Sequence, residues 1–394
     1  MTIRTALPAA LLGAAAALAL AVPAMAQDEP IKIGTMLTLS GPPAALGEQA
    51  RDGFNLALER MGGTMGGRAV EIVEVDDELK PDTAVTKARG LVERDGVDFV
   101  VGTIFSNIVG AIAKPVLDSE TFLISPNAGP STLAGRGCNP YFFSVSYQND
   151  QVHEVLGKYA QDEGLGRVML IAPNYQAGKD SLEGFKRHFK GEVVDEIYTP
   201  LGQRDFAAEM ARIADARPDA VFVFMPGGSG VSLVKQFREA GLADDIQFLS
   251  AFTVDETTLP ATGNDAVGLF SGSTWAPDLD NGANAEFVAA FEERYGYVPG
   301  LYAAHAYDTA NLIASALEAT GGSMDDKQAV RAALKAADFE SVRGDFSFNT
   351  NQFPVQDFYL VKAAARDDGK FQTEIVEKVF DDYGDVYGEG CRME

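Results

Sequence analysis

The sequence predicts an α/β protein built as two Rossmann-like, doubly wound lobes, and three observations predict it. Apolar runs of strand length alternate with amphipathic helical stretches along the chain. The runs are continuous rather than alternating, which marks parallel strands covered by helices on both faces. The series also restarts after Tyr147, and 394 residues are too many for one ordinary core, so two sheets are expected.

Each element has a local reason. Ile31 to Leu37 is an apolar run closed by the turn Ser40-Gly41-Pro42-Pro43, after which Leu46, Ala50, Phe54, Ala57 and Met61 recur at helical spacing. The same unit returns as Val70 to Val75 with a helix from near Asp82, and as Phe99 to Val101 with a helix from near Asn107. Phe122 to Ile124 then runs into a Gly/Pro-rich loop. The second series has strands at Val168 to Ala172, Val193 to Tyr198, Ala220 to Met225 and Gln247 to Leu249, with a helix over Gly230 to Ala240. Helices at Asn284 to Tyr295 and Tyr302 to Ala319 follow, then strand-like Asp345 to Phe348 and Phe358 to Val361, which are expected to return to the earlier lobes. No Pro/Gly/Ser-rich tether separates the two series, as a hinge of several crossings would require.

The amino end carries Arg4, an apolar run from Leu7 to Val22 and the small-residue signature Ala24-Met25-Ala26, the pattern of a secretory signal cleaved after Ala26. The run is too short for a stable membrane span, and no cysteine near the cleavage point offers lipid attachment, so a soluble periplasmic protein beginning at Gln27 is expected. Losing that segment, whose only charge is Arg4, takes the formal charge from −25 to −26. Such a surface repels a phosphate backbone, which argues against nucleic acid as a partner. The two cysteines, Cys138 and Cys391, meet an oxidising compartment. One disulfide tying the tail to the first half is the preferred reading, and two free thiols are the alternative.

Motifs for chemistry are sparse. Gly62-Gly63-Thr64-Met65-Gly66-Gly67 follows a helix and precedes a strand, the reverse of a dinucleotide fingerprint, and reads as a surface turn. Pro226-Gly227-Gly228-Ser229-Gly230 lies between strand and helix but lacks the Lys-Ser/Thr of a phosphate loop; a ligand-facing loop and a plain tight turn fit it equally. His153, His188 and His305 are not spaced for a metal, and no nucleophile elbow is present. Asp76-Asp77-Glu78 and Asp381-Asp382 read as solvated faces. The expectation from these motifs is no metal site, no cofactor and no nucleophilic catalysis.

In order along the chain, Ile31-Lys32-Ile33-Gly34 with Ser40-Gly41-Pro42, Gly62 to Gly67 with Arg68, Asp76-Asp77, Val101-Gly102, Ile124-Ser125-Pro126, Tyr175, Asp205-Phe206 and Tyr302 to Tyr307 form an ordered set. The set resembles the leucine/isoleucine/valine-binding protein family, the type I periplasmic solute-binding proteins of ABC importers. The resemblance spans essentially the whole mature chain. It implies two lobes joined by three crossover strands, here near Tyr147, Ser273 and Asn351. Residues 27–146 with 274–350 would form one lobe, and 147–273 with 351–394 the other. It also implies a monomer that closes on a small ligand and delivers it to a membrane permease.

Carried over residue by residue, Phe105-Ser106-Asn107 occupies the family's first-lobe anchor loop, and Ser106 matches the serine that holds a ligand carboxylate. In the next loop, Asn127-Ala128-Gly129, glycine stands at Gly129 where amino-acid binders carry threonine. The N–H groups of Asn127 and Gly129 remain as expected donors to an anion. Phe252 fills the place of the glutamate that receives a ligand ammonium, and burying an ammonium without its carboxylate is costly. The resemblance therefore favours the branch that binds aromatic acids of benzoate or hydroxycinnamate type, with Phe105, Tyr175 and Phe252 as stacking faces. Trp275, near a crossing, is expected to pack within a lobe. Arg204 is a candidate cation for the carboxylate, although an arginine is more commonly a surface residue. The same fold holding a branched-chain amino acid, an amide or a urea-like ligand, and a periplasmic ligand sensor, remain alternatives.

Overall fold

The computed structural model describes residues 1–3 and 29–393. The expected leader and its cleavage after Ala26 lie outside the described residues. No helix among those described is long and apolar enough to cross a membrane.

The first sheet contains β1 (Ile31–Leu37), β2 (Thr64–Met65), β3 (Arg68–Asp76), β4 (Phe99–Gly102), β5 (Phe122–Ser125) and β6 (Phe142–Ser144), in the order β2-β3-β1-β4-β5-β6. All its pairings are parallel except the β2–β3 hairpin. That hairpin is the glycine-rich segment Gly62 to Gly67. Gly66 has φ +55°, and a Cβ there would lie 2.7 Å from the Leu317 carbonyl, so the turn needs glycine for both conformation and space. The helices between these strands are α1 (Ala44–Arg60), α2 (Pro81–Arg89), α3 (Ser106–Leu117) and the short α4 (Ser131–Ala134).

The second unit begins with α5 (Asn149–Asp162) and continues through β7 (Arg167–Pro173), α6 (Gln176–His188), β8 (Glu192–Thr199), α7 (Ala207–Ala216), β9 (Ala220–Phe224), α8 (Gly228–Glu239), β10 (Gln247–Ala251), α9 (Leu259–Thr262) and β11 (Phe270–Ser273). The chain then supplies α10 (Gly282–Tyr295), α11 (Leu301–Ala319) and α12 (Lys327–Ala336), with α11 packed along α1. It returns as β12 (Ser347–Phe348), β13 (Pro354–Ala365) and β14 (Phe371–Tyr383). The second sheet runs β12-β13-β11-β10-β9-β7-β8, with β14 paired to β13. The fold is the type I periplasmic binding protein architecture, two α/β units with a parallel core in each sheet.

Three passages connect the units, after β6, after β11 and before β13. A buried ion pair ties two of them together. Arg343 Nε donates to Asp308 Oδ2 of α11 at 2.9 Å, while its Nη1 donates to the Ser146 carbonyl of the first passage and to Gln356 Oε1 on β13. Pairing of this quality is what makes a buried charge tolerable. Cys138 and Cys391 form a disulfide that fastens the C-terminal tail to the segment between α4 and β6.

Several elements differ from the sequence reading. The short β6 and β11 and the thirteen-residue β14 had no strong local signal, whereas α12, a strongly amphipathic helix capped by Asp326, carried one and was missed. β14 carries charged and polar residues at most positions, and it exists because β13 offers it a long antiparallel partner.

Candidate functional site

The carboxyl ends of the strands face one another across a tight cavity of about 20 Å³, nearly closed in this conformation. Its walls come from the segments that leave β4, β5, β6, β7, β9 and β10, with Leu46 of α1 and Tyr302 of α11 completing them. That placement follows from the topology, because open α/β sheets leave a crevice outside the carboxyl ends of their strands.

The lining is aromatic. Tyr175 stacks on Phe224, with ring centroids 6.2 Å apart and planes 19° from parallel, and Phe252 meets Phe224 edge-on at 5.8 Å. Phe252 also contacts Tyr147 at 5.2 Å and Tyr302 at 6.4 Å, while Phe105 lies 6.2 Å from Tyr175. Phe252 holds a φ of +56°, a left-handed conformation uncommon for a bulky side chain. Backbone strain of this kind concentrates at ligand sites, where surrounding structure enforces it.

The polar groups are few and mostly locked. Tyr147 Oη donates to Asn127 Oδ1 at 2.6 Å, and Asn127 Nδ2 donates to the Ile104 carbonyl at 2.7 Å. Asn149 Nδ2 donates to Ser106 Oγ at 3.0 Å and to Asp180 Oδ2 at 2.9 Å, so the Ser106 hydroxyl keeps its own proton to offer a ligand. The amino ends of α3 and α6 open onto the cavity at Ser106 and Ala177 from opposite sides. Unpaired N–H groups and the helix dipole make such ends favourable places for an anion.

Among the described residues no Asp, Glu, Lys or Arg side chain lines the cavity, and its titratable lining groups are His153 and the phenols of Tyr147, Tyr175 and Tyr302. Burial pushes His153 down to about 3, so it is neutral at physiological pH. Burial also raises Tyr147, Tyr175 and Tyr302, which therefore keep their hydroxyl protons. Asp255 does not line the cavity. Its Oδ1 accepts from the Thr257 N–H and hydroxyl, and burial raises its carboxyl above the usual range.

Of the residues singled out from sequence, Phe105, Ser106, Asn127, Ala128, Tyr175 and Phe252 meet around this space. Asn107, Gly129 and Arg204 do not line it. Asn107 sits in the first turn of α3 with its Oδ1 buried and unpartnered. The Gly129 N–H, expected to face an anion, donates instead to Asn149 Oδ1 at 3.0 Å, and the Gly129 carbonyl accepts from the Asn149 N–H. A Cβ at Gly129 would lie 1.9 Å from the Tyr147 carbonyl, so this loop conformation has no room for a threonine there. Arg204 is exposed, with its guanidinium beside Gly228. Trp275 is buried and donates from Nε1 to Asn284 Oδ1 at 2.7 Å.

Sequence reading missed Tyr147, Asn149, His153 and Phe224 as cavity residues. Phe224 ends β9 and was open to discovery from the strand-end rule. Asn149 and His153 stand one helical turn apart on α5, a spacing that means little until the helix is known to start at the crevice.

The chain belongs to the periplasmic binding protein family, whose profile, described as "Periplasmic binding protein", matches residues 30–370. It is 29% identical to Leu/Ile/Val-binding protein homolog 6 of Brucella melitensis, over 90% of this chain and 93% of that protein. An ABC transporter solute-binding protein from R. palustris, solved in complex with benzoate, superposes with a TM-score of 0.87 at 31% identity, covering 93% of this chain and all of that one. A second, from Rhodopseudomonas palustris BisB5 in complex with 3,4-dihydroxybenzoic acid, gives a TM-score of 0.84 at 30% identity and covers 91% and 99% of the two chains. The class is thus a solute-binding protein of ABC transporter type.

Proposed function

We propose that this protein captures a small aromatic carboxylate of benzoate or hydroxycinnamate type and hands it to the permease of an ABC importer. The observation that carries the reading is an uncharged aromatic cavity with two helix amino ends opening on it. The rings take the flat body of the ligand, and Ser106 with the ends of α3 and α6 takes its carboxylate. An α-amino acid fits less well, since no lining carboxylate receives an ammonium. The relatives solved with benzoate and dihydroxybenzoic acid support the same class.

In this reading the chain is exported, cleaved after Ala26 and works in the periplasm as a monomer. The two units, residues 27–146 with 274–350 and residues 147–273 with 351–394, act as lobes that close on the ligand. The test is a thermal-shift and calorimetric comparison of benzoate, 4-hydroxycinnamate, leucine and a simple amide on the purified protein. A saturating ligand at about one hundred times its Kd raises stability by about 2.7 kcal/mol. Aromatic acids are expected to produce that shift; tight leucine or amide binding without any response to aromatic acids would overturn the proposal.

A further inference from the structure

We infer that His153 holds a hydroxyl carried on the ring of the bound aromatic acid, so that the site prefers hydroxylated acids to the bare ring. The inference rests on the aromatic-acid reading and deepens it. His153 lines the cavity at 1% exposure, and its Nδ1 has no hydrogen-bond partner among the described residues. Buried polar groups in folded proteins are almost always paired, so an unpaired one in a ligand cavity points to the ligand as its partner.

The surroundings fix what that partner can be. Phe222, Phe224 and Phe252 meet the imidazole edge-on at 5.7, 5.0 and 5.6 Å, which sets its plane and leaves it no charged neighbour in the cavity wall. A neutral imidazole has one donor and one acceptor nitrogen. A phenolic hydroxyl both donates and accepts and can pair with either, whereas a carboxylate only accepts. The carboxylate is already provided for at Ser106 and the ends of α3 and α6.

Asn149 bonds Ser106 at the proposed anion end, and His153 stands four residues further along the same helix, α5. Tyr147 is a poor alternative reader because its hydroxyl is committed to Asn127.

The test is calorimetry with benzoate, 3-hydroxybenzoate, 4-hydroxybenzoate and 4-hydroxycinnamate on the wild-type protein, His153→Phe and His153→Gln. The wild type should bind at least one hydroxylated acid roughly tenfold or more tighter than its unsubstituted parent, as expected for one buried hydrogen bond. His153→Phe should bring that ratio to about threefold or less, and His153→Gln should restore part of the preference. Equal binding of benzoate and its hydroxylated forms by the wild type overturns this inference alone, and that measurement does not depend on either variant folding. Equal weakening of every acid in His153→Phe also overturns it. A wild type silent to all four acids overturns the aromatic-acid reading with it.

Discussion

Replacing Ser131 by alanine should weaken ligand binding although Ser131 does not line the cavity. Ser131 opens α4 beside the first sheet, and its partner Asp180 lies on α6 beside the second. Asp180 Oδ1 accepts from Ser131 Oγ at 2.7 Å and from Gln176 Nε2 at 2.8 Å, while Oδ2 accepts from the Ser131 N–H at 3.1 Å and from Asn149 Nδ2. Asp180 is only 4% exposed, and burial followed by the nearby Asp150 pushes its carboxyl up, so its donors matter to its comfort there. On the proposed closing of the lobes, parting them would return Ser131 and Asp180 to water, so their bond would contribute only to the closed state. A hydroxyl bonded to a carboxylate is worth about 1.5–3 kcal/mol net. Where the closed state is the minor one in the free protein, losing that bond raises the apparent Kd by about 10- to 150-fold. Calorimetry with the best aromatic acid on the wild type, Ser131→Ala and Ser131→Thr measures the effect, with thermal melts to show that both variants are folded. Threonine keeps the hydroxyl and should stay near wild type. Wild-type affinity in Ser131→Ala would refute the reasoning and show that this contact does not tell open from closed.

Three further outcomes are expected. Cys138→Ser with Cys391→Ser opens a loop spanning 253 residues, which loop entropy values at about 5.5 kcal/mol, and chemical denaturation should show a loss of at least 2 kcal/mol; an unchanged midpoint would refute it. Glu256 is buried with its Oε1 accepting from the Thr373 N–H and hydroxyl, and burial lifts its carboxyl to about 7. Its folded pKa lies above its unfolded one, so its contribution is full below about 4.5 and lost as pH rises through about 7; Glu256→Gln should remove up to about 3 kcal/mol of this pH dependence, and identical stability-against-pH curves would contradict it. Phe252→Glu should abolish aromatic-acid binding in calorimetry, since it sets a carboxylate among Tyr147, His153, Phe224 and Tyr302 with no lining cation; retained affinity would show that Phe252 does not face the ligand.

The parallel strands were legible because burial on both faces leaves a continuous apolar run, and β1, β4, β7 and β9 lie where such runs stand. The edge was not. β14 is amphipathic at best, and its pairing depends on β13, of which only Phe358 to Val361 read as strand-like in sequence. The site divides in the same way. Phe105, Ser106, Asn127 and Phe252 follow strand ends and were found from their loops. His153 gave no signal, because its meaning comes from a crossing segment that turns α5 toward both sheets. Arg204 failed for the opposite reason: position in sequence suggested a cation for the ligand, but its side chain points to solvent beside Gly228.

The absence of a lining cation, among the described residues, bears on how an acidic protein would hold the proposed anionic ligand. A net charge of −25 gives no general attraction for a carboxylate, so the favourable field must be local. Helix amino ends supply such a field, because their partial positive charge decays within the first turn and is strongest where water is excluded. Two of them, from α3 and α6, approach the cavity from the two units, so on the proposed closure the full field would exist only when the units are together. An arginine on one wall would hold the anion whether or not the other wall arrived. On the proposed function, dividing the anion site between lobes would make the ligand's charge itself favour closure, and an aromatic body held by Phe105 on one side and Phe224 and Phe252 on the other would favour it in the same direction.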